Sequence, residues 1–357
     1  EYHTYYQYLF RVDFDGNNFS LLTPEKGDHT IRFSPDGNYF TDTYSQPNVH
    51  PVYKVRDTKG RQITMLEKAD ISRLETTGWK PPQPFSVKSA DNRWDLHGLL
   101  FTPSMLDTTQ KYPVIVYIYP GPQGGSIRSW SFNPARRDNQ ALAELGFVVM
   151  ALEGSCNPGR SKSFHDACYG NMGENTLPDQ VSGLTQLADK YPFMDLSRVG
   201  IWGHSGGGFA AAAAMFKYPD IFKVGIAESG NHDNRNYEDD WGERYIGLET
   251  FDSNGVSNYA WQANQQFAHQ LKGKLLLVHG GLDDNVPPYN SYLVADALIK
   301  ANKDFDFLLL PNAGHGYGAD GYYVMRRRWD YFVTHLLQGI PPKSYQIKIG
   351  SSTRGKT

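Results

Sequence analysis

Two hydrophobic rhythms divide this chain. In its first part, short runs alternate apolar and polar residues, as in "QYLFRVDF", "TIRFSPDGNYFTDTYS" and "VYKVRDTKGRQITMLE". The pairs Asp15-Gly16, Asp36-Gly37 and Lys59-Gly60 punctuate these runs, the pattern of antiparallel meanders. Roughly six such strands predict about one and a half four-stranded blades, too few to close a propeller. An independent small β-domain is the plainer alternative.

The rhythm changes near "TTGWKPPQPF", where clustered prolines interrupt any ladder. This predicts a partial β segment over 1–75 and a second domain over 76–357. Beyond the boundary, helical patterns separate the strands "PFSVKS", "DLHGLLFTP", "PVIVYIYP", "GFVVMALEG", "RVGIWGHS", "KVGIAESG", "GKLLLVHGG" and "FDFLLLPNAG". The later strands are apolar almost throughout, as strands covered by helices on both faces are. A mostly parallel α/β sheet is expected. Near the C-terminus, Trp329, Phe332, Val333, Leu336 and Leu337 form one helical stripe that predicts a buried face.

Composition narrows the classes. A length of 357 residues is enough for a large core, and a net charge of −3 without a basic stripe argues against a nucleic-acid partner. No apolar run approaches the ~20 residues of a membrane helix, so no membrane span is expected. The chain begins "EYHTYY", without methionine, and reads as a mature form or an excised piece. Cys156 and Cys168 make neither a metal pattern nor a disulfide framework. They can pair, but two separate buried or loop thiols are the favoured reading, and the compartment stays open. No metal or cofactor is called for.

The chemistry begins at "RVGIWGHSGGGFAAAAAMF", where strand becomes helix. Gly203-His204-Ser205-Gly206-Gly207 fits the G-x-S-x-G elbow, which lifts a serine hydroxyl clear of the backbone. The following amide, that of Gly206, can then stabilise developing negative charge. Alternatively the glycines make only a tight packing turn. A serine nucleophile needs a base and an orienting acid, in the chain order Ser, Asp or Glu, His. Most of the eleven histidines precede the sheet, fall in helical patterns or stand in the wrong order. His204 is expected to point elsewhere, and His279 ends a strand ahead of the acid. His315 remains, in the glycine-flanked loop "PNAGHGYG" after the last strand. The acid comes from "HGGLDDNV", with Asp283 favoured and Asp284 read as a solvated carboxylate. A second oxyanion donor is due after "PVIVYIYP"; Pro120 and Pro122 lack an N–H, so the Tyr119 hydroxyl is a candidate, the alternative being a ring that only caps the strand.

With these residues in place, the chain resembles the prolyl oligopeptidase family, in its dipeptidyl peptidase IV-like branch. The resemblance runs through "KYPVIVYIYPGP", "GIWGHSGGGFAA", "ERYIG", "LLLVHGGLDDNV" and "AGHGYG", with "FSPDGNYF" similar to the end of the family's propeller. It implies an α/β-hydrolase fold preceded by the last blades of a β-propeller, whose remaining blades lie outside this chain. It implies a Ser205–Asp283–His315 triad, with Tyr119 and the Gly206 amide as oxyanion donors. Asn285 would bind a substrate carbonyl, and Tyr237, Trp241 and Val286 would wall the pocket for the residue before the cut bond. Trp241 stands where animal relatives have tyrosine, and "LEGSCNPGRS" departs from the more usual D-G-R-G loop. The implied activity is release of di- or tripeptides after proline or alanine, through an acyl-enzyme, from peptide substrates. Acylaminoacyl- or broad dipeptidyl-peptidase activity, and a carboxylesterase or lipase of the same fold, are the alternatives. Relatives often dimerise through this domain, so a homodimer is among the partners implied. The glutamate pair that holds a substrate's amino terminus in the family has no counterpart here.

Overall fold

A computed structural model describes residues 2–174 and 176–347. In chain order the strands are β1 (Phe10–Arg11), β2 (Ser20–Leu21), β3 (Asp28–Phe33), β4 (Tyr39–Gln46), β5 (Val49–Asp57), β6 (Gln62–Lys68), β7 (Gln83–Lys88), β8 (Asp95–Phe101), β9 (Tyr112–Tyr117), β10 (Val148–Glu153), β11 (Met194–His204), β12 (Phe222–Glu228), β13 (Lys274–Gly280) and β14 (Asp306–Leu310). The helices are α1 (Ser72–Glu75), α2 (Asn139–Glu144), α3 (Lys162–His165), α4 (Leu177–Lys190), α5 (Gly206–Lys217), α6 (Asp239–Ile246), α7 (Tyr289–Lys300) and α8 (Gly321–Leu336). Two compact units are formed, one from Glu1–Tyr112, Pro120–Cys168 and Pro178–Met194, the other from Pro113–Tyr119, Tyr169–Leu177 and Asp195–Thr357.

In the first unit, β1 and β2 pair as a ribbon, and β3-β4-β5-β6 form a four-stranded antiparallel meander. Six short strands, grouped two and four, match the meander rhythm of the sequence. The meander is held from within by charge. The Asp42 carboxylate, wholly buried, takes His29 Nδ1 at 2.7 Å on one oxygen and Arg56 Nε at 2.7 Å on the other. Buried charges are tolerated when paired in this way. The same unit holds β10, β8 and β7, antiparallel in that order.

The second unit carries the parallel strands, in the order β14-β13-β12-β11-β9. Registers along β11–β12, β12–β13 and β13–β14 are all parallel. Ile201, Ile226, Leu275, Leu277 and Val278 are at most 1% exposed, which explains why these strands lack alternation.

Two expectations are corrected. Cys156 and Cys168 form a disulfide, their Cα atoms 5.7 Å apart. The loop after β10 folds back, the Cys156 N–H donating to the Phe164 carbonyl at 3.0 Å, and α3 then delivers Cys168 beside it. The spacing alone carries no sign of that return. In α8 the buried face consists of Val324, Arg328, Tyr331, Phe332 and Leu336, with Trp329 and Val333 only half-buried. An apolar stripe cannot anticipate an arginine that is buried because its carboxylate partner is buried with it.

Candidate active site

The candidate residues of the second unit lie at or just past its strand ends, where parallel α/β sheets carry their sites. Ser205 follows β11 directly and precedes α5, with φ 60° and ψ −124°. A side chain seldom takes this left-handed conformation, and strain of this kind accompanies nucleophile elbows. The neighbouring glycines are required by close approach. A Cβ on Gly203 would lie 2.3 Å from the Ile118 carbonyl oxygen, and a Cβ on Gly207 would meet the same oxygen at 2.3 Å. The Ser205 N–H donates to the Glu228 carbonyl at the end of β12, at 2.7 Å. Gly206 opens α5, so its amide has no partner earlier in the helix.

Asp283 lies three residues past β13 and is buried. Its Oδ1 accepts the N–H groups of Asn285 at 3.1 Å and Val286 at 2.8 Å. Its Oδ2 faces His315 Nδ1 at 2.8 Å and His279 Nε2 at 3.3 Å. Burial alone would raise this carboxyl's pKa. The bonds from His279, His315 and the Val286 amide outweigh burial and hold it well below the ordinary carboxylate range. Asp284 is exposed and makes no such set of bonds. The structure thus brings Asp283, not Asp284, to His315.

His315 sits in the loop between β14 and α8. With Nδ1 turned to Asp283, its Nε2 is the nitrogen left to act as base. His204, one residue before Ser205, turns its ring to the backbone of the His315 loop. Its Nε2 lies 2.7 Å from the His315 carbonyl oxygen, and the two rings meet edge to face at 4.6 Å. Tyr317 packs edge-on against His204 at 5.4 Å, and its hydroxyl lies 3.0 Å from Ser229 Oγ. Sequence order could not find this, because it ranks histidines as bases and not as supports.

Tyr119 stands two residues past β9, half-buried. Tyr237 is in the same electrostatic neighbourhood. Burial first, then the charges of Glu238, Tyr119, Asp240 and Asp283, push its hydroxyl up to about 12. Tyr237 and Trp241 meet edge to face at 5.7 Å, and Trp241 meets Tyr245 at 5.3 Å, so the three rings form one aromatic row. Asn285 is exposed, whereas Val286 is wholly buried. Among the described residues no cluster of three or more His, Cys, Asp or Glu side chains could hold a metal, and no helix is long and apolar enough to cross a membrane.

In the first unit, the loop that follows the proline pair has its own anchor. The carboxylate of Glu153, at the end of β10, accepts the N–H groups of Ser126 at 3.1 Å, Ile127 at 2.7 Å and Arg128 at 2.6 Å, with Asn157 Nδ2 also bonded. Three successive amides on one buried carboxylate fix a loop that has no regular structure of its own.

Comparisons with known proteins give the family and the fold. Residues 130–339 match the prolyl oligopeptidase family, and residues 1–51 match the dipeptidyl peptidase IV N-terminal region. Dipeptidyl peptidase 8 of Mus musculus is 32% identical over 305 residues, which are 82% of this chain and 34% of that protein. Venom dipeptidyl peptidase 4 of Vespa velutina is 27% identical over 90% of this chain and 43% of its own length. Among solved structures, dipeptidyl peptidase 4 of Porphyromonas gingivalis superposes with a TM-score of 0.82 at 26% identity, over 93% of this chain and 47% of that one. A Bacteroides ovatus protein assigned as a dipeptidyl aminopeptidase IV gives 0.84 at 28% identity, over 92% and 46%. The chain therefore spans about a third to a half of the relatives it matches.

Proposed function

Because this chain belongs to the prolyl oligopeptidase family, we propose that it is the catalytic portion of a serine peptidase that releases di- or tripeptides from the amino end of oligopeptides, after proline or alanine. In this reading residues 76–357 are the catalytic domain and residues 1–75 a partial propeller segment. The observation that carries it is the Asp283–His315 pair, 2.8 Å apart, on loops that follow the Ser205 elbow in the family's order.

Ser205 Oγ attacks the carbonyl carbon while His315 Nε2 takes its proton. Asp283 fixes the tautomer with hydrogen on Nδ1 and stabilises the imidazolium that forms. The tetrahedral oxyanion is met by the Gly206 N–H and the Tyr119 hydroxyl. His315 returns the proton to the leaving amine, and an acyl-enzyme remains on Ser205. Water then repeats the steps in reverse and frees the acid. The edge-to-face Tyr237 and Trp241 rings offer proline a flat apolar wall, and alanine is small enough to enter the same slot. In this reading Asn285, on the acid loop, donates to a substrate carbonyl.

The test is release of p-nitroaniline from Gly-Pro and Ala-Pro anilides, free and N-blocked, by the whole protein and its Ser205→Ala variant. Cleavage of the free substrates alone, abolished by Ser205→Ala, is the expected result. Equal cleavage of blocked substrates would refute the amino-end reading. Full activity without Ser205 would refute the mechanism.

A further inference from the structure

Two loops carry the groups that this reading places around the substrate. One leaves β12 and leads through Asp233 and Asn236 to Tyr237; the other leaves β13 and holds Asp283, Asn285 and Val286. One side chain bridges them. Asn290, the second residue of α7, is 0% exposed. Its Oδ1 accepts the Asp233 N–H at 2.9 Å. Its Nδ2 donates to the Asn236 carbonyl at 2.9 Å and to the Pro287 carbonyl at 3.3 Å. A single carboxamide thus satisfies three backbone groups on two loops.

The groups it holds are next to the candidate pocket. The Asn236 carbonyl belongs to the peptide unit that leads into Tyr237, whose backbone is extended from there. The Pro287 carbonyl is one residue beyond Val286 and also takes the main-chain N–H of Asn290 at 3.0 Å. Pro287 and Pro288 have no N–H of their own, so this turn is fixed through its carbonyl. Asp233 is a firm anchor. Its carboxylate binds Arg235 Nε at 2.9 Å, Arg235 Nη2 at 2.6 Å and Gln265 Nε2 at 2.5 Å. Asp283, by contrast, is held by His279, His315 and two amides without help from Asn290.

We propose that Asn290 is a positioning residue that sets the spacing between the Tyr237 side and the Asn285–Val286 side of the substrate pocket, and so governs which residue is accepted before the cut bond. The inference rests on the reading of those residues as pocket walls. Asn290 touches no reacting atom. Its removal therefore loosens the fit and leaves the triad's own bonds in place.

The experiment compares kcat and KM for Gly-Pro- and Gly-Leu-p-nitroanilide, and hydrolysis of p-nitrophenyl acetate, in the whole protein and its Asn290→Ala, Asn290→Asp and Tyr237→Ala variants. Asn290→Ala is expected to lower the Pro-to-Leu ratio of kcat/KM by about tenfold or more, the scale on which pocket fit discriminates, mainly through KM. Ester hydrolysis, which needs the triad and little of the pocket, falls by no more than about threefold in the same variant. Asn290→Asp keeps the acceptor for the Asp233 N–H and loses both donations, so it falls between Asn290→Ala and the parent, and it carries the test where Asn290→Ala does not fold. A parental ratio in both Asn290 variants, or equal loss of anilide and ester hydrolysis, would overturn the inference. A changed ratio in Tyr237→Ala beside unchanged Asn290 variants overturns the clamp alone. An unchanged ratio in Tyr237→Ala overturns the pocket reading, and the clamp with it.

Discussion

Arg328 and Glu228 form a buried two-pronged ion pair beneath the nucleophile elbow. Arg328 Nε meets Oε1 at 2.9 Å and Nη2 meets Oε2 at 3.0 Å, while the guanidinium lies 3.6 Å from the centre of the Trp202 ring. The backbone carbonyl of the same Glu228 receives the Ser205 N–H. Arg328→Ala would strand the carboxylate in the core. The expected loss is about 3–5 kcal/mol, because breaking a buried pair costs more than replacing it. The double variant Arg328→Met with Glu228→Gln should recover at least half of that. Urea unfolding of the three proteins decides the matter, and equal midpoints for the parent and Arg328→Ala would show the pair to be unimportant.

His204 should matter for the rate rather than for binding. Its Nε2–H holds the His315 carbonyl on a loop flanked by Gly314 and Gly316, which gives the backbone little stiffness of its own. His204→Phe keeps a ring and loses the donor; His204→Gln keeps an N–H at nearly the same reach. A fall in kcat of about tenfold in His204→Phe, with KM near the parental value and recovery in His204→Gln, is the expected pattern, since a small misplacement of a base is costly. If both variants behave alike, the hydrogen bond has no such role.

The folded chain also indicates which features a sequence can disclose. Period and punctuation located the strands because burial on both faces leaves no alternation, as at Leu275–Val278, and because Asp36-Gly37 and Lys59-Gly60 mark the β3–β4 and β5–β6 turns. The order of Ser205, Asp283 and His315 was legible because each follows a recognisable strand. What stayed hidden depends on partners far apart in sequence. Arg328 is buried through Glu228, one hundred positions away, and Asn290 reaches Asp233, 57 positions away. The support that His204 gives was hidden for the same reason, its partner being a carbonyl 111 positions on. Local pattern reports which face a residue prefers, and says little about the polar group that will meet it there.

The two acidic neighbours should separate cleanly. Asp283 is buried, with Oδ1 on two amides and Oδ2 between two imidazoles, whereas Asp284 is exposed. In Asp283→Asn, an amide NH2 can face His315 and favour the wrong tautomer. The kcat for a Gly-Pro anilide should then fall by about 10⁴-fold. Asp284→Asn should stay within about threefold, as exposed substitutions away from the chemistry do. A large loss in Asp284→Asn with Asp283→Asn active would reverse the assignment.

Stability should weaken in mild acid because of His232. This ring is 0% exposed; its Nδ1 lies 2.9 Å from Asn264 Nδ2, and its Nε2 has no hydrogen-bond partner among the described residues. Burial, with the nearby His279 second, pushes its pKa from 6.5 down to about 3. Above pH 6.5 neither the folded nor the unfolded chain carries this proton, and the group contributes nothing to the pH slope. Between 6.5 and about 3 the unfolded chain binds the proton and the folded chain does not. Stability therefore falls with falling pH in that window, by up to about 1.4 kcal/mol per pH unit. His97, pushed down to about 4 by burial, adds in the same direction and is unchanged by a His232 variant. Asp283 acts elsewhere: with its pKa held below the ordinary 3.8, its stabilisation persists until the pH drops under that value. Urea midpoints at pH 7.5, 5.5 and 4.5 should thus fall less steeply in His232→Asn than in the parent. Parallel slopes in the two proteins would mean that His232 is not the group whose protonation opens the fold.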